Sequence, residues 1–412
     1  MKKNNYLLSS RLTGKHSSVW VSVLTIVLTI ITAGILLLLM GKNPAAAFYS
    51  FLQGCGLAPK ENYGGGSGML SDLSDFLNYL APMLLAALAF IVAFKAGLFN
   101  IGIAGQMLLS GFLATALVGY SKDLPAGIAR PLVLVTGIAA GGLMGALIGF
   151  LKYRFNIHEV VSTIMINYII SYSTGFFINN KYVDMLTRTS RVCTPQSRLT
   201  LTNVQIAGVS CKVPLGLLIA VVMAFLVQFI FDRTTFGFEL KAVGMNRQCA
   251  KYIGVGVGGS IVAAMAFSGV LAGLAGVTYY LGYTNTIIPK TLVGMGYDSI
   301  SVALVGNSSP VGSIFAAVIV SIFQQGANYM NSRIGVAKEI ASVITGILLL
   351  YASCGTYMKM LAENRIRKAA DMIKNNTDHD TERKKKKKKD SAESDSSKSS
   401  TGDKMNEKEG QS

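Results

Sequence analysis

Residues 19–40 form a predominantly apolar block that contains no charged side chain. A helix that crosses a bilayer needs ~20 mostly apolar residues, and buried helices of soluble domains seldom offer so many in succession. The block is also too long for the apolar region of a cleavable signal peptide. We therefore expect an uncleaved membrane anchor, although the run Ala45, Ala46 and Ala47 leaves cleavage after it as an alternative.

The rest of the chain repeats this apolar pattern. Of the 412 residues, 51% are apolar and 14% are charged, whereas soluble domains usually carry about 25% charged residues. We predict an all-α, polytopic integral membrane protein with about ten transmembrane helices. The eighth span is short and bounded by glycines, so it either crosses the bilayer or is re-entrant. The expected spans are 19–40, 76–94, 98–119, 131–151, 159–178, 213–231, 258–282, 293–306, 311–329 and 339–358.

Basic residues near the ends of the spans indicate the orientation, because cytoplasmic loops carry an excess of lysine and arginine. Four basic groups fall on one side, whereas the loop 179–212 carries five basic residues on the other. We predict a multi-pass plasma-membrane protein with both termini in the cytoplasm. It would comprise a cytoplasmic segment 1–18, a transmembrane domain 19–358 and a tail 359–412. Besides the tail, the basic groups are Lys2, Lys3, Arg11 and Lys15, then Lys152 and Arg154, then Arg233, Lys241, Arg247 and Lys251.

The tail 359–412 lacks apolar periodicity and contains six consecutive lysines at 384–389 before a Ser/Asp/Lys-rich end. Such a composition predicts disorder, because it offers too little apolar surface to form a core. Basic residues near a bilayer surface can also bind anionic lipid headgroups. Between a merely solvated tail and one that binds membrane lipids, we favour the solvated tail.

Polar residues inside the predicted spans are informative, because a polar group left unpaired in lipid is costly. Most of them are neutral amides, which suit hydrogen bonding with hydroxyl-rich solutes. Asp298 is the one carboxylate of the set, so a proton-coupled carrier, which needs an acid or histidine relay, is disfavoured. Its place after Gly294 and Gly296 favours capping of the next helix over a role in the pathway. The set is Asn100, Gln106, Asn167, Gln228, Asp298, Asn307, Gln324, Gln325 and Asn328.

Glycines suggest where helices approach closely and where they break. The fourth span has glycines at four-residue spacing, and the seventh has Gly269 and Gly273, a pattern that predicts close helix packing. Glycine also interrupts the segments 96–102 and 294–310, at roughly corresponding places in the two halves. Paired interruptions can mark a transport pathway, but ordinary packing remains an equal alternative. The glycines of the fourth span are Gly137, Gly141, Gly145 and Gly149.

No catalytic constellation is evident in the sequence. It has no G-x-x-x-x-G-K-[ST] phosphate loop, and the three histidines are far apart, so we expect no enzyme activity, no cofactor and no metal. An ATPase, if one drives this protein, must be another chain. Cys193 and Cys211 share one predicted loop and could pair, although sequence alone does not determine their pairing.

The segment 234–255 reads TTFGFELKAVGMNRQCAKYIGV. It resembles the cytoplasmic coupling segment of permeases in the ribose, branched-chain amino-acid and nucleoside branch of the ATP-binding cassette importers. That family pattern is close to T-x-x-G-x-x-x-R-A-V-G-x-N-x-x-A-A-x-Y-x-G-I, and here Lys241 occupies the basic position and Cys249 replaces an alanine. The resemblance implies an ATPase-coupling role for Phe236, Gly237, Glu239, Leu240, Lys241, Ala242, Gly244, Asn246, Ala250 and Gly254.

Three further stretches resemble the nucleoside and simple-sugar permeases: 97–106, 161–168 and 300–312. The resemblance implies nucleosides as the solute, with simple sugars second. It also implies an ATPase subunit, an identical or different second permease, an extracellular solute-binding protein and no nucleic-acid partner. Among the matched residues, Asn100, Gln106 and Asn167 are candidates for the pathway. The alternatives are an ATP-independent carrier or channel, a scaffold without transport, or a permease for another solute such as branched-chain amino acids.

Overall fold

A computed structural model describes residues 17–60, 68–206, 209–337, 339–354 and 364. Helices dominate it, because inside a bilayer a helix satisfies its backbone hydrogen bonds without water. In chain order they are α1 (Ser17–Leu39), α2 (Pro44–Gly54), α3 (Met69–Lys95), α4 (Ile103–Ala114), α5 (Ala126–Phe155), α6 (Glu159–Phe177), α7 (Leu215–Arg233), α8 (Thr235–Met245), α9 (Arg247–Tyr252), α10 (Val257–Thr278), α11 (Met295–Val305), α12 (Pro310–Ile334) and α13 (Ile340–Cys354).

Each predicted span coincides with one of these helices, which confirms the all-α, multi-pass prediction. In the described part of the chain, seven helices are long and apolar enough to cross a membrane. The third, eighth and tenth predicted spans correspond to shorter apolar helices, Ile103–Gly119, Met295–Val305 and Ile340–Cys354. Helices α4, α6 and α10 continue into π-helical turns at Thr115–Gly119, Ile178–Tyr182 and Tyr279–Tyr283.

Helix α3 forms the centre of the bundle. Every residue from 80 to 93 is buried, and the helix packs against α7, α10, α11 and α12. Its sequence is apolar on all faces over this stretch, as expected of a helix surrounded by protein. At its end, the chain turns through Gly97, whose φ of +70° is accessible to glycine without strain.

The glycines of the fourth span do allow close packing, as predicted. A Cβ on Gly141 or Gly145 would overlap backbone carbonyl oxygens of α10, at Gly269 and Met265 respectively. A Cβ on Gly273 would in turn overlap the carbonyl oxygen of Gly137. Helices α5 and α10 therefore meet backbone to backbone, the arrangement that small residues at this spacing permit.

The loop 179–212 contains an antiparallel hairpin that the sequence analysis did not predict. Strand β1 (Thr200–Ile206) pairs with β2 (Val209–Pro214), in a register that puts Ile206 opposite Val209. The Thr200 hydroxyl donates to Gly282 O at 2.9 Å and lies 3.1 Å from Asn78 Oδ1, so the hairpin is attached to α3 and α10. Alternating β-branched residues such as Val204 and Ile206 were its signal.

Ser22–Ser353 forms one compact unit. Met1–Val21 and Cys354–Ser412 form a second, most of which lies outside the described residues. The predictions of a cytoplasmic segment 1–18 and a basic disordered tail 359–412 fall almost wholly on that undescribed part, and both stay predictions.

Candidate functional site

The segment after α7 folds into two short helices, α8 and α9, whose starts are capped by side chains. The Thr234 hydroxyl accepts a hydrogen bond from Gly237 N at 3.1 Å, which begins α8. The Asn246 amide oxygen accepts from Gln248 N at 2.9 Å and from Cys249 N at 3.1 Å, which begins α9. Threonine and asparagine are favoured N-cap residues. The local sequence therefore determines where α8 and α9 begin.

One face of this coupling segment packs on the bundle. Leu240 and Ala250 are buried, and a Cβ on Gly237 would overlap the carbonyl oxygen of Ile230 in α7. The Phe236 ring lies 6.2 Å from that of Phe267 in α10, edge to face. These predicted coupling residues therefore join α8 and α9 to the bundle.

Gly244 makes a contact as close as that of Gly237, but with the end of α3. A Cβ at this position would overlap the Lys95 carbonyl oxygen and lie 3.0 Å from Gly97 N. Helix α8 thus rests, backbone against backbone, on the point where α3 ends and the chain breaks. A side chain larger than hydrogen at Gly244 would push the two segments apart.

The other predicted coupling residues lie nearer to solvent. Lys241 Nζ is 3.8 Å from Asp232 Oδ1, with both side chains more than a third exposed, so this pair adds little stability. Gly254 has a φ of +87° at the end of α9. Glu239 and Ala242 are half-buried, and Asn246 is exposed.

Four large apolar side chains on this segment point away from the bundle, and the sequence analysis missed them. Their exposed fractions are 58% for Phe238, 82% for Met245, 91% for Tyr252 and 63% for Ile253. We call these four residues the exposed coupling surface. Exposed apolar groups on a segment outside the long spans indicate an interaction site. Phe238, Met245 and Ile253 stand between positions of the family pattern, and Tyr252 occupies its tyrosine position.

The predicted pathway residues meet at the break 96–102. Asn167, from α6, accepts a hydrogen bond from Gly105 N at 3.0 Å and donates one to Ile101 O at 3.1 Å. Its side chain therefore satisfies two backbone groups of the break, which have no helical partner. Asn167 is 1% exposed.

Asn100 braces the same break from within. Its oxygen accepts from Gly102 N at 2.9 Å, and its nitrogen donates to Ser268 Oγ at 2.9 Å and Gln106 Oε1 at 3.3 Å. Among the described residues, Gln106 Nε2 has no hydrogen-bond partner although it is buried. The structure thus brings Asn100, Gln106 and Asn167 together and shows a bracing role for two of them; contact with the solute stays a prediction.

The capping role favoured for Asp298 is wrong. Helix α11 begins after Gly294 without a side-chain cap, and Asp298 Oδ2 instead accepts a hydrogen bond from Gln324 Nε2 at 3.0 Å. Asp298 lies one turn into α11, where its carboxylate bonds to Gln324 of α12. That partner could not be predicted from local sequence, because Gln324 lies 26 residues further along the chain, in the next helix.

Cys193 is a free, buried thiol, 3.8 Å from Thr115 Oγ1. Burial raises the pKa of this thiol, so it stays protonated and unreactive at neutral pH. The side chain of its suggested partner, Cys211, lies outside the described residues. Within the described ranges, no group of three or more His, Cys, Asp or Glu side chains could hold a metal ion.

Long apolar helices around a buried central helix define a multi-pass membrane protein. The model of the family described as "branched-chain amino acid transport system / permease component" matches residues 73–353, and the chain belongs to this family. It is a permease subunit of the ATP-binding cassette importer type.

Curated relatives match over most of their length. The chain is 34% identical to the guanosine ABC transporter permease protein of Bacillus subtilis, over 83% of this chain and 95% of that protein. It is 30% identical to the nucleoside ABC transporter permease protein of Lactococcus lactis, over 87% and 98%. The glucose ABC transporter permease protein of Haloferax volcanii is 24% identical, over 70% and 77%. No solved structure shows significant similarity to the chain.

Proposed function

We propose that this chain is the pathway through which an ATP-binding cassette importer moves nucleosides into the cell. The guanosine and nucleoside permeases resemble it over nearly their whole length. Simple sugars are the second candidate, supported by the glucose permease at lower identity and coverage. The neutral amides and tyrosines inside the bundle suit the hydrogen-bonding groups that both solutes carry.

The observation that carries the proposal is the contact between Gly244 and the break after α3. An importer must convert closure of ATPase subunits into movement of the membrane bundle. A short helix seated backbone to backbone on Lys95 and Gly97 transmits such a displacement as a rigid body. The displacement arrives where Asn100 and Asn167 join the break to α10 and α6.

The exposed coupling surface supports a separate ATPase subunit as the partner. Phe238, Met245 and Tyr252 would lose contact with water in a cleft of that subunit, which favours association. The chain itself carries no phosphate loop, so ATP hydrolysis is assigned to the partner. A second permease, identical or related, and an extracellular solute-binding protein complete the proposed assembly.

The coupling segment also fits the proposed orientation. If it faces the ATPase, it lies in the cytoplasm, and the basic residues Arg247 and Lys251 lie there with it, as the excess of positive charge requires. Both termini are then cytoplasmic and the membrane is the plasma membrane.

The test is ATP-dependent uptake of labelled guanosine into vesicles. The complex is purified with its partners from its native membrane and reconstituted with its cytoplasmic side facing the vesicle lumen. We expect Gly244→Ala to abolish uptake, because its Cβ overlaps the Lys95 carbonyl oxygen. The matched control is Gly256→Ala, since no described atom lies within 4 Å of a Cβ built there. The control should retain most of the uptake.

Each other outcome has a distinct meaning. Full uptake by Gly244→Ala would remove the coupling role. Uptake by the purified chain without ATP and without a partner would establish a secondary carrier instead. ATP-dependent uptake of glucose, with none of guanosine, would replace nucleosides by sugars as the solute class.

A further inference from the structure

Three tyrosines meet between α3 and the end of α10. The Tyr79 and Tyr283 rings are 5.2 Å apart, edge to face, and the Tyr279 and Tyr283 rings are 5.8 Å apart. Tyr279 and Tyr283 are the two ends of the π-helical turn Tyr279–Tyr283, a feature frequent at functional sites. Edge-to-face packing leaves part of each aromatic face uncovered.

All three tyrosines are only partly buried, in contrast to their surroundings. Tyr79 lies on α3 directly before the stretch 80–93, in which every residue is buried. A cavity of about 180 Å³ has one member of the cluster, Tyr279, in its wall, together with the hydroxyl-bearing Thr284 and Thr291.

Two consecutive glutamines of α12 present polar groups to this region. Gln325 Oε1 accepts a hydrogen bond from the Tyr283 hydroxyl at 2.9 Å. Gln324 Nε2 donates to Asp298 Oδ2 at 3.0 Å and to Thr345 Oγ1 at 3.2 Å. Neighbouring helical positions project about 100° apart, so the pair joins the tyrosine cluster to the half-buried carboxylate of Asp298.

Ser321 lies one turn earlier on the same face as both glutamines. Its side chain is 0% exposed, and its hydroxyl has no hydrogen-bond partner among the described residues. Buried polar groups are nearly always paired. The Ser321 hydroxyl is thus a buried polar group without a partner among the described residues, one helical turn from the glutamine pair.

We propose that Tyr79, Tyr283, Gln325 and Asp298 form a recognition site for the heteroaromatic base of the transported solute. This inference rests on the proposed function and names the residues of its substrate site. An uncovered tyrosine face stacks on a base whatever its identity. The amide of Gln325 and the carboxylate of Asp298 pair with the donors and acceptors of the base and its attached sugar, which an apolar site could not distinguish.

Uptake of labelled guanosine by the reconstituted complex tests the site. We expect Tyr79→Leu to lower the uptake rate by about 5- to 100-fold, the range expected for loss of one base–aromatic stacking contact. Tyr79→Phe keeps the ring and should stay within about twofold of the wild-type rate. Tyr168→Leu, at a residue of α6 that is 57% exposed, is the matched control and should not change uptake.

A second measurement separates recognition from folding and coupling. ATP hydrolysis by the same complexes and recovery of the partner subunits should be equal in Tyr79→Leu and Tyr168→Leu. Gln325→Leu should lower guanosine uptake while both of those properties are kept.

The outcomes for this site and for the proposed function differ. Guanosine uptake that Tyr79→Leu and Gln325→Leu leave at the wild-type rate would overturn the site and leave the nucleoside importer standing. Wild-type complex that imports glucose but not guanosine would overturn the proposed function, whatever the tyrosine variants do. Equal losses in Tyr79→Leu and Tyr79→Phe would assign the role to the hydroxyl and contradict stacking.

Discussion

The bundle contains two helix breaks that are built differently. The first, 96–102 between α3 and α4, is braced by side chains from distant parts of the chain: Asn167 of α6 bonds to Ile101 O and Gly105 N, and Ser268 of α10 accepts from Asn100. Helix α8 also rests on it. A displacement of α6, α8 or α10 therefore reaches this break directly.

The second break, 306–309 between α11 and α12, is closed by its own residues. Ser308 N donates to Ala303 O at 2.8 Å, and the Ser309 hydroxyl accepts from Gly312 N at 3.4 Å. Asn307 and Ser308 adopt left-handed φ values of 55° and 51°. These bonds span few residues, so the second break is closed mainly by local contacts, although the Ser22 hydroxyl of α1 donates to Val305 O directly before it, at 2.7 Å.

The difference shows which break couples the elements of the bundle to one another. Similar glycine-interrupted sequences produce a turn closed largely by local bonds in one half and a meeting point of five helices, α3, α4, α6, α8 and α10, in the other. If this view is right, substitutions at the first break disturb both stability and transport, and substitutions at the second have small, local effects.

The largest effect is expected for Asn167→Leu. This change leaves Gly105 N and Ile101 O buried without partners, and an unpaired buried group costs about 1–3 kcal/mol. We expect a loss of about 2–6 kcal/mol in the free energy of unfolding, seen as a much lower thermal midpoint in detergent. Asn328→Leu, at an exposed position of α12, is the control; equal midpoints for the two variants would refute the bracing role.

An intermediate effect is expected for Gly97→Ala. Its φ of +70° disfavours alanine, by roughly 1–2 kcal/mol, and its Cβ would lie 3.1 Å from Gly244 Cα. We expect a modest fall in the thermal midpoint and a much larger fall in ATP-driven uptake.

Gly335→Ala is the matched control for that variant. Gly335 has nearly the same φ, +69°, but its Cβ would come only within 3.9 Å of Lys42 Nζ. It should show the same backbone strain with uptake unchanged. If both variants lose uptake equally, strain alone explains the result and contact with α8 has no part in it.

The smallest effect is expected for Ser309→Ala, which removes the cap of α12 at the second break. Loss of an N-cap typically costs about 1 kcal/mol, and the 3.4 Å length of this bond places it at or below that value. Asn43→Ala removes a shorter, 3.0 Å cap bond at α2 and provides the comparison. Uptake should be near normal in both; a large loss in Ser309→Ala would show that the second break is coupled as well.

The long spans were predictable from the sequence because length and hydropathy alone decide them. Helix α2 was missed because it is too short for that test, although Asn43 before Pro44 is a helix-start signal. The hairpin was not predicted because its alternating residues lie in a polar loop between spans, where hydropathy carries no signal. Both errors concern short elements, in which local signals count more than hydropathy.

The site was predictable only in part. The motif located the coupling segment and the residues that contact the bundle, including Leu240 and Gly244. It did not show that Met245 and Tyr252 face outward, because the exposed side of α8 and α9 depends on contacts with α3 and α10. The partners of Asn167 and Asp298 likewise depend on tertiary packing that a single sequence does not reveal.

The backbone contact between α5 and α10 has a mechanical consequence. Gly141 and Gly273 lie in close contact with the backbone of the facing helix. The two helices therefore resist sliding along each other and would move together as one rigid body. The four-residue segment 253–256 joins α9 to α10, so under the proposed function movement of α8 and α9 reaches this helix pair through a short linker. Glycine is usually associated with pliability; here its small size makes the bundle stiff.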